Sequence, residues 1–286
     1  MILAVDLGNY NIKTSEGISF SSTFTKEISS NPVGEEIIKY NGNAYTMTKG
    51  DFDNTFNKSK KDYVPNLLYA IAKSSTKSDV NFDIVLGVPL DNLGIADSFK
   101  TELEGKEFEF KYNDVDRKIK INKIATVGEG ISSYYTLTDE ERSKDVMIVD
   151  IGGRTVNVAT FIKKKLEKKF TINMGMIDLY NDIKTRVNSS GENHNTEEVE
   201  RLIKKKLIKD TELEEEQFIK SIFNKINFNA KIATYDIYFT GGGSIELEKE
   251  LKVYTKDKAA AYFISNPLFS NVTGNKIIAN IKWSDK

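Results

Sequence analysis

No cysteine occurs in this sequence, and that one absence removes a disulfide framework, a thiolate zinc site and every cysteine nucleophile together. Histidine is almost as scarce. The single His194 lies in the polar loop GENHN, where an imidazole among Asn, Glu and Gly is ordinarily solvated, and no metal or base role is assigned to it. Charge of one sign is lacking too: 41 basic and 42 acidic residues leave a net charge of −1, so nothing pulls the chain globally toward nucleic acid or a membrane surface. Direct nonspecific DNA binding needs a basic surface and is not expected. No apolar run approaches the roughly 18 residues that span a membrane. The apolar start, Met1 to Val5, stops at Asp6 and is too short for a secretory signal, so the expected location is the cytoplasm, with no membrane partner.

What is present is enough apolar material, 39% of 286 residues, for one large domain or two ordinary ones. ILAVDL, NIKTS and ISFSSTF alternate with period two and read as short strands separated by Gly and Asn turns. EIIKYNGNAYTM reads as a hairpin turning on Asn41-Gly42. Val64, Leu67, Leu68 and Ile71 recur at helical spacing and predict a helix over 63–74. FDIVLGVPL, bounded by Gly87 and Pro89, reads as a central strand buried on both faces. A helix through Ile95 to Leu103, two alternating strands (EFEFKY and RKIKINKIATV) and a short helix after Gly128 follow. The second half opens like the first, on VMIVDIGGRTVNVATFI, and continues with helices over 177–187, 196–206 and 214–228. Thr196 is the expected N-cap of the middle one, with acids in its first turn. DIYFTGGGS is a strand running into a helix near Ile245, and a last helix follows Asn266-Pro267.

Two apolar strands thus end on an acid next to glycine, at Asp6 and at Asp150. Glycine lets the backbone turn tightly and brings its N–H groups close to a ligand, which suits phosphate oxygens. A carboxylate cannot bind phosphate directly, so Asp6 and Asp150 make sense if Mg²⁺, which prefers oxygen ligands and keeps several waters, lies between acids and phosphates. Lys13 can then reach back as a point charge. Either acid alone would pass for a turn-former at a strand end. The third element, TGGGS at Thr240 to Ser244, lets a bulky group approach the backbone at a helix start.

In that order the three elements resemble the actin, heat-shock-70 and sugar-kinase superfamily. DLGNYNIK looks like its first phosphate motif, DIGGRTVNV like the second and FTGGGSIEL like the adenosine motif. TVGEGISSYY and NPLFSNVTGNKIIANI resemble the two connecting helices. Within the superfamily, IVLGVPL and NPLFSNVTGN are most similar to the ParM-type bacterial actins of plasmid segregation, including the shortened AlfA-like members.

The resemblance implies an α/β, ribonuclease H-like fold of two duplicated domains around a nucleotide cleft, residues 1–136 plus 268–286 and residues 137–267. The short interval between Phe161 and Tyr238 implies a reduced outer lobe in the second. It implies that Asp6 and Asp150 organise Mg²⁺ through water, that Lys13 meets the phosphates, and that Gly8, Asn9, Gly152 and Gly153 give backbone contacts. Asn11 and Thr155 belong to the same nucleotide set. Gly241, Gly242, Gly243 and Ser244 fall to the adenosine. Glu129 matches the residue that orients the attacking water, and with Asp150 makes the catalytic pair, although Gly128 stands where the family commonly has proline. The expected cofactors are ATP or GTP with Mg²⁺. The expected partners are further copies of the chain, in a filament, and a ParR-like DNA-binding adaptor. A small-molecule kinase of the same fold is the alternative, but no extra acid stands out as its base. The lysine clusters KKKLEKK (163–169) and KKKLIK (204–209) are either solvated faces or contacts for acidic partners.

Overall fold

Side-chain alternation along the first strand, Ile2–Leu7 (β1), decides where the first third of the chain packs. Leu3, Val5 and Leu7 enter a large apolar cluster, whereas Ala4 enters a smaller one on the opposite face. Asp6, in step with Ala4, belongs to the second face. In the computed structural model, which describes residues 1–27, 33–51, 62–88, 90 and 96–284, the chain divides into two units: Met1–Thr136 with Phe269–Lys286, and Leu137–Leu268.

After β1 come β2 (Asn11–Thr14), β3 (Ser19–Ser21), β4 (Phe24–Thr25), β5 (Ile37–Tyr40) and β6 (Asn43–Met47). The chain continues through α1 (Val64–Ser74), β7 (Asp79–Val88), α2 (Ala96–Leu103), β8 (Glu107–Tyr112), β9 (Val115–Gly128) and α3 (Ile131–Tyr134). The second unit holds α4 (Asp139–Arg142), β10 (Val146–Ile151), β11 (Val156–Ile162), β12 (Lys165–Ile172), α5 (Met176–Ser189), α6 (Thr196–Lys204) and α7 (Glu212–Asn229). It ends with β13 (Asp236–Thr240), α8 (Gly242–Glu246), α9 (Glu248–Thr255) and β14 (Ala261–Phe263), after which α10 (Ser270–Ser284) returns to the first unit.

Among the described residues the first unit has a nine-stranded sheet in the order β3-β2-β1-β7-β9-β8-β5-β6-β4, and the second a five-stranded sheet, β12-β11-β10-β13-β14. The second order repeats the first five strands of the first: an antiparallel hairpin, then a parallel neighbour on the other side of its first strand. The extra strands of the first unit extend one edge of the same sheet. α1 covers the face of Leu3, Val5 and Leu7, and α10 covers the face of Ala4 and Val85 through Val272 and Ala279.

Several expectations shift. ISFSSTF is two strands, because Ser22 donates its amide to the Tyr10 carbonyl and its hydroxyl to the Asn9 carbonyl and so breaks the run; β4 pairs with β6 instead. Asn41 and Gly42, at φ 47° and 74°, form the expected two-residue turn. Gly87 lies inside β7, not at its end; Pro89 and Ile95 fall outside the described residues. The α6 N-cap is Asn195, whose amide donates to Glu198, one residue before Thr196. Lys163 and Lys164 are a tight turn at positive φ, and the rest of KKKLEKK is the edge strand β12, where lysines discourage further pairing. KKKLIK begins at the end of α6, where Lys204 pairs with Glu200 and Glu246. β14 adds a strand that no period in the sequence announces. No helix among the described residues is long and apolar enough to cross a membrane.

Candidate functional site

Strand register, more than sequence proximity, builds the first cluster. β1 and β2 pair so that Asp6 stands opposite Lys13, and Lys13 Nζ lies 3.6 Å from Asp6 Oδ2 with both side chains largely buried. The attraction of such a pair is on the order of 4 kcal/mol at an effective dielectric of 20. Desolvation costs several kcal/mol per ion, so the pair is near break-even and the lysine can exchange partners for an incoming anion. Gly8 makes the turn possible, since a Cβ there would sit 2.2 Å from the Asn11 carbonyl oxygen. Asn9 is buried in the turn, and Asn11 opens β2.

On its other side β1 runs parallel to β7, and Asp6 is in register with Gly87. β9 lies beyond β7, with Val88 in register with Gly128, and the Glu129 amide donates to the Val88 carbonyl at 2.9 Å. Asp6 and Glu129 therefore lie at the carboxyl ends of strands two places apart, roughly 10 Å by strand spacing. That end of a parallel sheet is where α/β folds place ligands. Both acids are buried, at 5% and 8% exposure.

The second unit repeats the device. Asp150 ends β10, in register with Asn157 of β11 on one side and Thr240 of β13 on the other. The Gly152 amide is spent within the turn on the Thr155 carbonyl, and the Gly152 and Gly153 carbonyls accept the first amides of α5, from Met176 and Ile177. Thr155 is buried, and its hydroxyl accepts from the Asn157 amide. Gly241, at φ +83°, places backbone where a Cβ would lie 2.3 Å from Asp150 Oδ1, so acid and glycine turn are in direct contact. Gly242 and Gly243 already belong to α8, which starts earlier than the Ile245 expected. Gly243 lets the helix settle on Ile151 and Met176, its hypothetical Cβ falling 2.3 Å from Ile151 Cγ2. Ser244 is fully buried and donates its hydroxyl to the Gly241 carbonyl, which gives it a turn-holding role.

The structure thus gathers Asp6, Gly8, Asn9, Asn11, Lys13 and Glu129 within the first unit. It gathers Asp150, Gly152, Gly153, Thr155 and Gly241 to Ser244 within the second. Sequence reasoning missed Gly87 and Asn157, both visible only once register is known. Among the described residues no three acids or histidines gather into a protein-only metal cage. An open hollow of about 690 Å³ between the β5–β6 and β8–β9 turns contains none of these residues.

Residues 4–131 match the family described as actin like proteins N terminal domain, and residues 148–253 match the archaeal actin homologue MreB-like family, C-terminal. The chain belongs to the actin-like proteins. Among solved structures it is similar to Ta0583, an archaeal actin homologue in complex with ADP: 16% identity, TM-score 0.80, 98% of this chain and 99% of that one covered. It is also similar to a 15-stranded ParM filament from Clostridium botulinum, at 19% identity, TM-score 0.79 and coverage of 98% and 99%. A third is an AlfA filament bound to AMPPNP, at 22% identity, TM-score 0.68 and coverage of 100% and 98%. A search of curated proteins by sequence gives no match. At these identities the structural likeness establishes the actin fold.

Proposed function

We propose that this actin-like chain binds ATP with Mg²⁺, assembles into filaments and hydrolyses the nucleotide as it does so, moving plasmid DNA through a DNA-bound adaptor. The observation that carries the reading is the repetition: each unit ends a buried central strand on an acid, beside a glycine turn, in the same register. The donor type fits magnesium: the strand end of each unit offers a hard carboxylate oxygen, Asp6 in the first and Asp150 in the second, and Mg²⁺ needs few protein ligands when waters and phosphates complete its shell. When bound, the ion supplies charge compensation for the phosphates. Lys13 adds a positive charge to the phosphate end, and Gly241 to Gly243 offer flat backbone to the nucleoside. Glu129 holds and orients the attacking water.

Self-assembly is supported by what the similar structures are: filaments of ParM and of AlfA. Heterologous contacts that do not close into a ring grow as filaments. Pelleting and electron microscopy with no nucleotide, Mg-ATP, Mg-ADP and a nonhydrolysable analogue test this. Polymer is expected with Mg-ATP and the analogue and less with Mg-ADP. Protein that stays monomeric at micromolar concentration in all four, across salts and with adaptor supplied, refutes the filament reading and favours a small-molecule kinase.

A further inference from the structure

Glu129 stands between two peptide groups, and the structure pins both. Its own amide donates to the Val88 carbonyl at 2.9 Å. The next amide, that of Gly130, donates to Asn271 Oδ1 at 3.0 Å, from the first turn of α10. Because the first bond fixes the peptide plane before the Glu129 Cα and the second fixes the plane after it, φ and ψ of Glu129 are both set, and with them the direction of the Cα–Cβ bond from which its carboxylate reaches out.

Asn271 is built to hold that position. Besides Gly130, its Oδ1 accepts the Ser132 hydroxyl at 3.0 Å and the Ser133 hydroxyl at 2.7 Å, and Ser133 also meets Ser270 at 2.8 Å. Three donors on one carbonyl oxygen exceed its two lone pairs and leave the amide no freedom to flip. Asn271 is 9% exposed, Ser132 and Ser133 fully buried. The close approach of α10 is itself specified: a Cβ at Gly274 would fall 1.9 Å from the Ser132 carbonyl oxygen, so only glycine lets α10 come near enough for Asn271 to reach the turn. Gly130 is at φ +78°, a conformation a hydrogen bond from outside the turn helps to hold. One turn further along α10, fully buried Asn275 reaches Gly87, with its Nδ2 3.4 Å from where a Cβ would be, beside Asp6.

We infer that Asn271 is a positioning residue for nucleotide hydrolysis: from α10 it fixes the peptide that aims Glu129 at the attacking water. The inference rests on the hydrolytic reading of Glu129. Its test is a double-mutant comparison of wild type, Glu129→Ala, Asn271→Ala, Asn271→Asp and the doubly substituted Glu129→Ala/Asn271→Ala protein. Single-turnover hydrolysis of Mg-ATP, affinity for a fluorescent ATP analogue and thermal midpoint are read for each. Asn271→Ala is expected to slow hydrolysis by about 10- to 100-fold while affinity changes by less than about threefold. Asn271→Asp, which keeps an acceptor at the same place, is expected to recover most of the rate. The double variant should be no slower than Glu129→Ala alone, since Asn271 acts through Glu129.

If Asn271→Ala does not fold, Asn271→Ser, whose shorter hydroxyl cannot meet all three donors, carries the same expectation. The exposed neighbour Thr273→Ala is the control and keeps the wild-type rate. Wild type that neither binds nor hydrolyses Mg-ATP overturns the functional reading and this inference with it. Wild type that hydrolyses, together with an unchanged rate in Asn271→Ala, or with losses that multiply in the double variant, overturns the role of Asn271 alone.

Discussion

Asp6 and Asp150 occupy the same place in two copies of one eight-residue hairpin, residues 6–13 and 150–157, yet their neighbours differ. Asp6 faces Lys13 across its hairpin and Gly87 on the parallel side; Asp150 faces Asn157 and Thr240. The first acid therefore has a cation across its own hairpin, whereas the residues in register with the second on both strands are neutral and the second lies against the Gly241 backbone. One scaffold thus sets its two acids opposite different cross-strand partners. The strands that follow differ too, since Thr240 leads into a glycine-rich helix start.

The comparison is broken most directly at Asp150. Asp150→Ala is expected to abolish Mg²⁺-dependent hydrolysis, a loss of about 10³-fold or more, because removing that carboxylate leaves the charge of metal and triphosphate poorly compensated. Asp6→Ala should lose less, since it also frees Lys13 for the phosphates. Steady-state turnover over a Mg²⁺ titration measures both. Equal losses would mean that Lys13 does not distinguish the two hairpins.

Much of this is legible in the residue pattern itself, and the reason is physical. Buried strands such as ILAVDL and VMIVDI leave a dense apolar signal, and an acid that ends one stands out against it. The hairpins and the glycine turn are local patterns, whereas Glu129 is singled out only by the family resemblance. Register is not local. That Gly87 belongs inside β7 beside Asp6, or that Asn157 is the counterpart of Lys13, follows only from which residues lie opposite across strands. β14 has three residues, too few for a period to show. Asn271 meets Gly130 across 141 positions of chain, so nothing in NPLFSNVTGN pairs it with TVGEGISSYY. Ser244 shows the opposite case: it lies inside a legible motif, but its hydroxyl is committed to the Gly241 carbonyl.

The glycines sharpen the contrast within the second unit. Gly243→Ala would put a methyl group 2.3 Å from Ile151 Cγ2 and 2.9 Å from Met176 Sδ, and overpacking of this kind costs about 1–3 kcal/mol. Gly242→Ala meets nothing nearer than Leu268 Cδ1 at 3.8 Å at the first position of α8, where alanine gains about 0.4–1 kcal/mol by restricting the unfolded chain. Thermal or urea unfolding without nucleotide should therefore move in opposite directions for neighbouring residues. If both variants are destabilised alike, α8 is held by more than the contact of Gly243 with Ile151.

The smallest expected effect tests the lysine itself. Lys13→Asn gives the first hairpin the side chain that the second has at Asn157. Two consequences compete. A charge-assisted contact to phosphate is lost, which weakens nucleotide binding, while Asp6 loses the cation across its hairpin and becomes a stronger attractor for a metal ion. Without Mg²⁺ only the first matters, and ATP affinity is expected to fall about tenfold, close to 1.4 kcal/mol. With Mg²⁺ the freed carboxylate offsets part of that loss, and the fall should shrink to about threefold. Fluorescent-nucleotide titrations with excess EDTA and with millimolar Mg²⁺ read the two values directly. Affinity unchanged in both conditions would show that Lys13 serves only to neutralise Asp6, and the electrostatic difference between the two hairpins would then concern folding alone.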